Sequence, residues 1–216
     1  MRRILLALAL FLPLAAVATA NDVDKVNGDV HVAAGQHAGD VSSVNGDIDV
    51  GDHAVVAKAS TVNGSVELGQ QARAGELGTV NGGIRLDLGA HVSGKVEAVN
   101  GTIHLAKGAQ VDGHLSNVNG TIDLDDAHVA GGIETVAGDI TVGAGSHVEG
   151  GILVDKPNNG WFHWGDSRKP VIVIGPHAVV QGTLEFRREV VLKVSDSAQI
   201  GPVQGATVEK FSGDTP

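Results

Sequence analysis

Residues 99–105 read VNGTIHL and residues 118–124 read VNGTIDL. The same phrase recurs as VNGDVHV from 26, VNGDIDV from 44, VNGSVEL from 62 and VNGGIRL from 80, with a variant, VAGDITV, from 136. Its asparagines, Asn27, Asn45, Asn63, Asn81, Asn100 and Asn119, stand 18, 18, 18, 19 and 19 residues apart, and Ala137 takes the seventh place 18 residues on. A repeat of this length is a solenoid coil, too small to bury its own apolar side and stable only when stacked on its neighbours.

Inside one coil the apolar positions run Val99, Ile103, Leu105, Ala109, Val111, Leu115 and Val118. Short alternating runs of this kind are strands with one face inward, and the interruptions, at Gly101, Gly108 and Gly113, are three corners. The expected fold is all-β: a single-stranded parallel β-helix, a three-sided tube of about 18–19 residues per coil, with a right-handed winding preferred. Asn-Gly between apolar runs also signals a two-residue hairpin, but an antiparallel meander needs two reversals per repeat and each repeat here carries three corners.

In such a tube every Val-Asn-Gly sits at the same corner. The glycine supplies unusual backbone angles, and the asparagine amide, donor and acceptor at once, meets its equivalent one coil away at a spacing of about 4.8 Å. The six asparagines are therefore expected to form a structural ladder and to satisfy corner backbone groups. A narrow interior also accounts for the absence of tyrosine and the preference for Val, Ile, Leu and Ala.

The chain opens on MRRILLALALFLPLAAVATA, with Arg2 and Arg3, an apolar run too short to span a bilayer, and Ala18-Thr19-Ala20 at a signal-peptidase site. Residues 1–20 read as a signal peptide and imply export, to the periplasm or the surface of a bacterial cell. Taking Arg2 and Arg3 from the 15 basic residues leaves 13 against 25 acidic, a formal charge of −12. That balance disfavours nucleic acid and anionic lipid as partners, and no membrane span is expected after the leader. There is no cysteine, so no disulfide staples the fold.

The expected organisation after the leader is solenoid coils with the corner ladder over 21–155, an inserted loop over 156–170, further coils over 171–208 and a tail over 209–216. The loop, KPNNGWFHWGDSRKP, carries Trp161, Phe162 and Trp164, which either fold back on the tube or form a sugar-binding platform. Beyond it, Ile174, Ala178 and Val180 align with Val194, Ala198 and Ile200 at a shift of 20, and Pro176 and Pro202 are expected at matching corners.

The glycine-cornered alternation, with steps such as Gly94-Lys95-Val96, Gly113-His114-Leu115 and Gly182-Thr183-Leu184, resembles that of bactofilins, the polymer-forming bacterial cytoskeletal β-helices. The N-G-D-[VI] steps are similar to those of bacterial putative-adhesin β-solenoids. The first resemblance implies polymerisation, although bactofilins are typically cytoplasmic and lack so regular an asparagine corner. Ile174-Gly-Pro-His-Ala-Val-Val-Gln-Gly182 also looks like the hexapeptide repeat of left-handed acyltransferases, whose acyl-CoA an exported protein would not meet. Open strand edges at both ends argue independently for end-to-end self-association, with Asp22 and Asp24 as alternative gatekeepers against it.

Chemistry-bearing residues are few. His91, His128 and His147 recur at H-V-x-G corners, with Gln110 in the same column; His128 and His147 on adjacent coils are a candidate metal pair, although no carboxylate column evidently completes it. Asp29, Asp47 and Asp139 share another column, and Asp123, Asp125 and Asp126 cluster, as carboxylates do in β-helix lyases and hydrolases. The coils are too minimal to wall a cleft, and no P-loop, HExxH or G-x-S-x-G occurs. The expected function is therefore non-enzymatic, with no cofactor: an exported structural, self-assembling or adhesin-like envelope protein, with an envelope polysaccharide or protein as an open partner. The alternative is a carbohydrate-binding or carbohydrate-processing β-helix using the aromatic loop.

Overall fold

The structure, a computed structural model, describes residues 21–156, 168–213 and 215. The loop aromatics Trp161, Phe162 and Trp164 and the leader lie outside the described residues. All regular elements among the described residues are β-strands, and all pair in parallel. One face of the tube is a sheet of ten strands, from Val30–Val32 through Ile103–Leu105 to Val208–Phe211, one from each coil. Ten coils at about 4.8 Å make a rod roughly 45 Å long. The meander is excluded, because sequential strands never pair antiparallel.

The other two faces belong to one 16-stranded sheet that forks. In the early coils a single nine-residue strand, as in His37–Asn45, Val55–Asn63 and Arg73–Asn81, covers both. Arg73–Asn81 then pairs with two separate strands of the next coil, His91–Val92 and Val96–Asn100. The cause is one residue: Ala74 and Leu77 are partnered by Val92 and Val96, so a corner three positions wide becomes four. The first 19-residue coil spends its additional residue here, and three distinct strands per coil follow.

The interior is a set of apolar columns. Val50, Leu68, Leu86, Leu105, Leu124, Val142, Ile174 and Val194 stack one upon another in register, all at most 2% exposed. Each such side chain contributes about 1.5–3 kcal/mol relative to an exposed one. Ala54, Ala72, Ala90, Ala109 and Ala127 line the tightest corner, and a small buried Ser146 continues them, its Oγ accepting the Ala127 N–H at 3.2 Å.

Two residues assigned to the interior from sequence are outside it. Val99 and Val118 are 39% and 45% exposed, as are Val26, Val44, Val62 and Val80 to similar degree or more. From the second coil on, the strand alternation passes through the residue before the valine: Ser43, Thr61, Thr79, Ala98, Asn117 and Thr135 point inward and are buried. The polar members serve the corner. Ser43, Thr61 and Thr79 donate from their hydroxyls to the Gly28, Gly46 and Gly64 carbonyls of the preceding coil, at 3.3, 2.9 and 2.9 Å. Asn117 Nδ2 does the same for Gly101 at 2.8 Å.

The C-terminal coils align as expected, with Ile174 opposite Val194 and Val180 opposite Ile200. Pro176 and Pro202 do not occupy matching corners. The Pro176 carbonyl takes the Gly145 N–H at the corner after Val171–Ile174, whereas Pro202 takes the Leu184 N–H at the corner before Val203–Gln204.

Candidate functional site

The asparagine corner is built as the repeat implies. Asn45, Asn63, Asn81 and Asn100 each donate from Nδ2 to the Oδ1 of the asparagine one coil before, at 3.0, 2.9, 2.9 and 3.1 Å. Asn119 is in backbone register with Asn100, but no side-chain bond continues the ladder to it. The amides bond to one another rather than to corner backbone; the buried hydroxyls and Asn117 take the carbonyls instead. The glycines are obligatory for a different reason than turn geometry alone. At Gly46, Gly64, Gly82 and Gly101, all at φ between +152° and +159°, an added Cβ would overlap the glycine carbonyl of the preceding coil.

Next to the amides runs a second stitch. Asp29 Oδ1 accepts the Asp47 N–H at 2.9 Å, Asp47 Oδ1 accepts the Ser65 N–H at 2.7 Å, and Asp139 Oδ1 accepts the Val171 N–H at 2.8 Å. The aspartate column is thus engaged in backbone N–H groups of the following coil. Asp22 likewise accepts the Asp40 N–H, and Asp24 the Ser42 hydroxyl, so both acidic residues at the N-terminal end are tied inward. Of the Asp123, Asp125 and Asp126 cluster, Asp126 pairs with Lys107 at 2.8 Å, which raises the Lys107 pKa chiefly through that hydrogen bond.

The histidine column falls at one corner in the expected register: Gln110 is opposite both His91 and His128, and His128 is opposite His147. The carboxylates two residues on, Asp112 after Gln110 and Glu149 after His147, do not pair with the column residue of their own coil. Each reaches diagonally back by one coil, Asp112 to His91 Nε2 at 2.9 Å and Glu149 to His128 Nε2 at 2.9 Å. A third diagonal joins Gln181 Nε2 to His147 Nε2 at 3.0 Å. The His128 and His147 rings meet edge to face, with centroids 5.4 Å apart and planes at 75°. His128, His147 and Glu149 can each offer one ligand atom such that all three lie within 4.8 Å of one another. The sequence places the pair; the diagonal that adds Glu149 follows from stagger between coils, which spacing alone does not give.

At the C-terminal end the corner after Ile152–Val154 and Leu184–Phe186 is ionic. Arg187 bonds Glu185 at 2.8 Å and Asp155 at 3.3 Å, Arg168 bonds Asp139 at 2.7 Å, and Arg188 donates to the Val136 and Arg168 carbonyls at 2.9 and 3.3 Å. The Lys156 N–H, and then Arg187, hold the Asp155 carboxyl below its ordinary pKa. A shallow, solvent-open depression nearby is lined by Lys169, Glu189, Ala206 and Glu209. No helix among the described residues is long and apolar enough to cross a membrane. Comparisons with family models, with curated proteins and with solved structures return no match.

Proposed function

We propose that this chain is a non-enzymatic β-solenoid, exported by residues 1–20 to the periplasm or surface of a bacterial cell, which acts as a structural, self-assembling or adhesin-like envelope component. The observation that carries the proposal is the pair of open ends. Among the described residues nothing covers the first coil, where Val23–Asn27 and Val30–Val32 are the outermost strands, or the last, where Gln199–Ile200, Val203–Gln204 and Val208–Phe211 are. An uncovered parallel edge is a template for another strand.

The two ends are different surfaces, so stacking is head to tail and does not close, which gives filaments rather than dimers. Half-buried Ile200, Val203, Val208 and Phe211 supply apolar area at one end, and Val23 at the other. This is the behaviour the bactofilin resemblance implies. The flanks support a non-enzymatic role: corner aspartates bind backbone, and among the described residues the corners are too short to wall off a substrate from water.

Size-exclusion chromatography with electron microscopy of the chain lacking residues 1–20 tests the reading. Rods many times 45 Å long support it. A species that stays monomeric at all concentrations and is retained on a glycan column favours the carbohydrate-binding alternative, and Trp161→Ala with Trp164→Ala then abolishes the retention.

A further inference from the structure

The histidine corner has the composition of a metal site and the fold supplies its geometry. Parallel register places His128 directly opposite His147, which limits the separation of their backbones to one coil spacing of about 4.8 Å. Glu149 stands two residues after His147, on the same outward side of the strand end, and leans back to His128 at 2.9 Å. Three ligand atoms within 4.8 Å of one another are close to what one ion requires, since metal bonds of about 2.0–2.1 Å in a tetrahedral shell put neighbouring donors about 3.3 Å apart. The His128 and Glu149 side chains are 35% and 50% exposed, so rotation about their side-chain bonds closes the gap without moving the coils.

We propose that His128, His147 and Glu149 bind one divalent transition-metal ion of the zinc class, through two imidazole nitrogens and one carboxylate oxygen, with the fourth position open to water. Two imidazoles select zinc, nickel or copper over calcium and magnesium, which prefer all-oxygen shells. Gln181, from the following coil, donates from Nε2 to His147 Nε2 in the metal-free chain; when the ion binds it either gives up that bond to the ion or turns its amide so that Oε1 accepts the remaining ring N–H, a positioning role. The chain contains its own control: His91 and Asp112 form the same diagonal at 2.9 Å, but their column neighbour is Gln110 where His147 would be needed. Two ligands do not make the site. Because the ion joins two coils, it binds the folded array and not the unfolded chain, and so raises its stability. This inference is independent of the assembly proposal.

The test is titration of the untagged chain lacking residues 1–20 with Zn²⁺, by calorimetry and by equilibrium dialysis. The expected result is one ion per chain, a midpoint raised by about 5–10 °C at a hundredfold excess over Kd, and no response to Mg²⁺. His147→Ala and the near-isosteric Glu149→Gln each weaken binding by tenfold or more, while His91→Ala leaves it unchanged. Gln110→His, which supplies the missing partner to His91 and Asp112, raises the stoichiometry to two. Absence of Zn²⁺ uptake at 100-fold molar excess overturns the proposal. So does binding that His91→Ala reduces as much as His147→Ala, or that Glu149→Gln leaves intact in a variant with unaltered circular dichroism.

Discussion

The same corner of the tube is built in two ways along its length. From Asn27 to Asn100 it is a neutral amide ladder flanked by buried hydroxyls, with glycine carbonyls so close to the next coil that no side chain fits between them. Past Ala137 it is held by Arg168, Arg187 and Arg188. The lengths differ accordingly. Ile103 and Ile122 are partners 19 residues apart across the last Val-Asn-Gly corner, whereas Ile140 and Ile172 are partners 32 apart, because the chain between Asp155 and Val171 is inserted at the equivalent corner. A ladder that demands a contact at each step admits no insertion at its own corner, and the step from 18 to 19 residues is taken up elsewhere, between Val92 and Val96. Long arginine side chains reach across gaps and do not.

The strongest way to break that contrast is Gly64→Ala. A methyl group there overlaps the Gly46 carbonyl oxygen at a backbone φ of +159°, so adjacent coils must separate. A loss of about 3 kcal/mol is expected, read as a lower urea midpoint. Arg188→Ala tests the other corner. It removes charge-assisted bonds to the Val136 and Arg168 carbonyls and costs about 2 kcal/mol, with increased amide exchange confined to the coils after Ala137. Equal loss of protection in the first coils would show that the two regions do not behave as separate units.

Within the ladder, Asn117 is the flaw. It stands in the column of Thr79 and Thr135, is 3% exposed, and leaves Oδ1 without a hydrogen-bond partner. Asn117→Thr keeps the donor to Gly101 and removes the orphan acceptor, and should raise stability by about 1 kcal/mol. Asn63→Ala, which loses two amide bonds at an exposed position, should cost about 0.5–1 kcal/mol, while Asn119→Ala, beyond the last amide link, should cost less than about 0.5 kcal/mol.

The coil, its period, the amide ladder and the histidine register were legible in the sequence because parallel in-register stacking converts a linear period directly into a column. What it concealed depends on orientation inside one step. The valine of Val-Asn-Gly is the most regular apolar residue in the chain and still faces solvent, because the inward place belongs to the hydroxyl or small residue before it. Apolarity alone does not reveal that shift. The diagonal from Glu149 to His128 was hidden for a related reason: column neighbours follow from spacing, but which neighbour a flexible carboxylate chooses follows from how adjacent coils are offset. The merged strands of the early coils trace to one residue at the second corner, too slight a difference to read in a period that varies between 18 and 19.

The smallest expected effect concerns charge. Asp155 is held below the ordinary carboxylate pKa first by the Lys156 N–H and then by Arg187, so its ionised form is favoured in the folded chain. A carboxyl with a lowered folded pKa contributes stability above its unfolded value, near 3.8, and that contribution is lost as pH falls through the folded value. At the amide corner the carboxylates that accept backbone N–H groups end with Asp47, and around Asn81 the place is taken by the Ser65 hydroxyl, so mild acid should loosen the ionic corner before that part of the ladder. Amide exchange between pH 5 and pH 3, corrected for intrinsic rates, should show protection falling around Arg187 while that around Asn81 holds. Asp155→Asn keeps the side chain's size but removes its charge, and should flatten the pH dependence at Arg187. Raising salt to 1 M should act in the same direction and on the same coils, since exposed ion pairs are screened and amide bonds are not. If the two corners respond alike to acid and to salt, their division into a neutral and an ionic half does not describe their energetics.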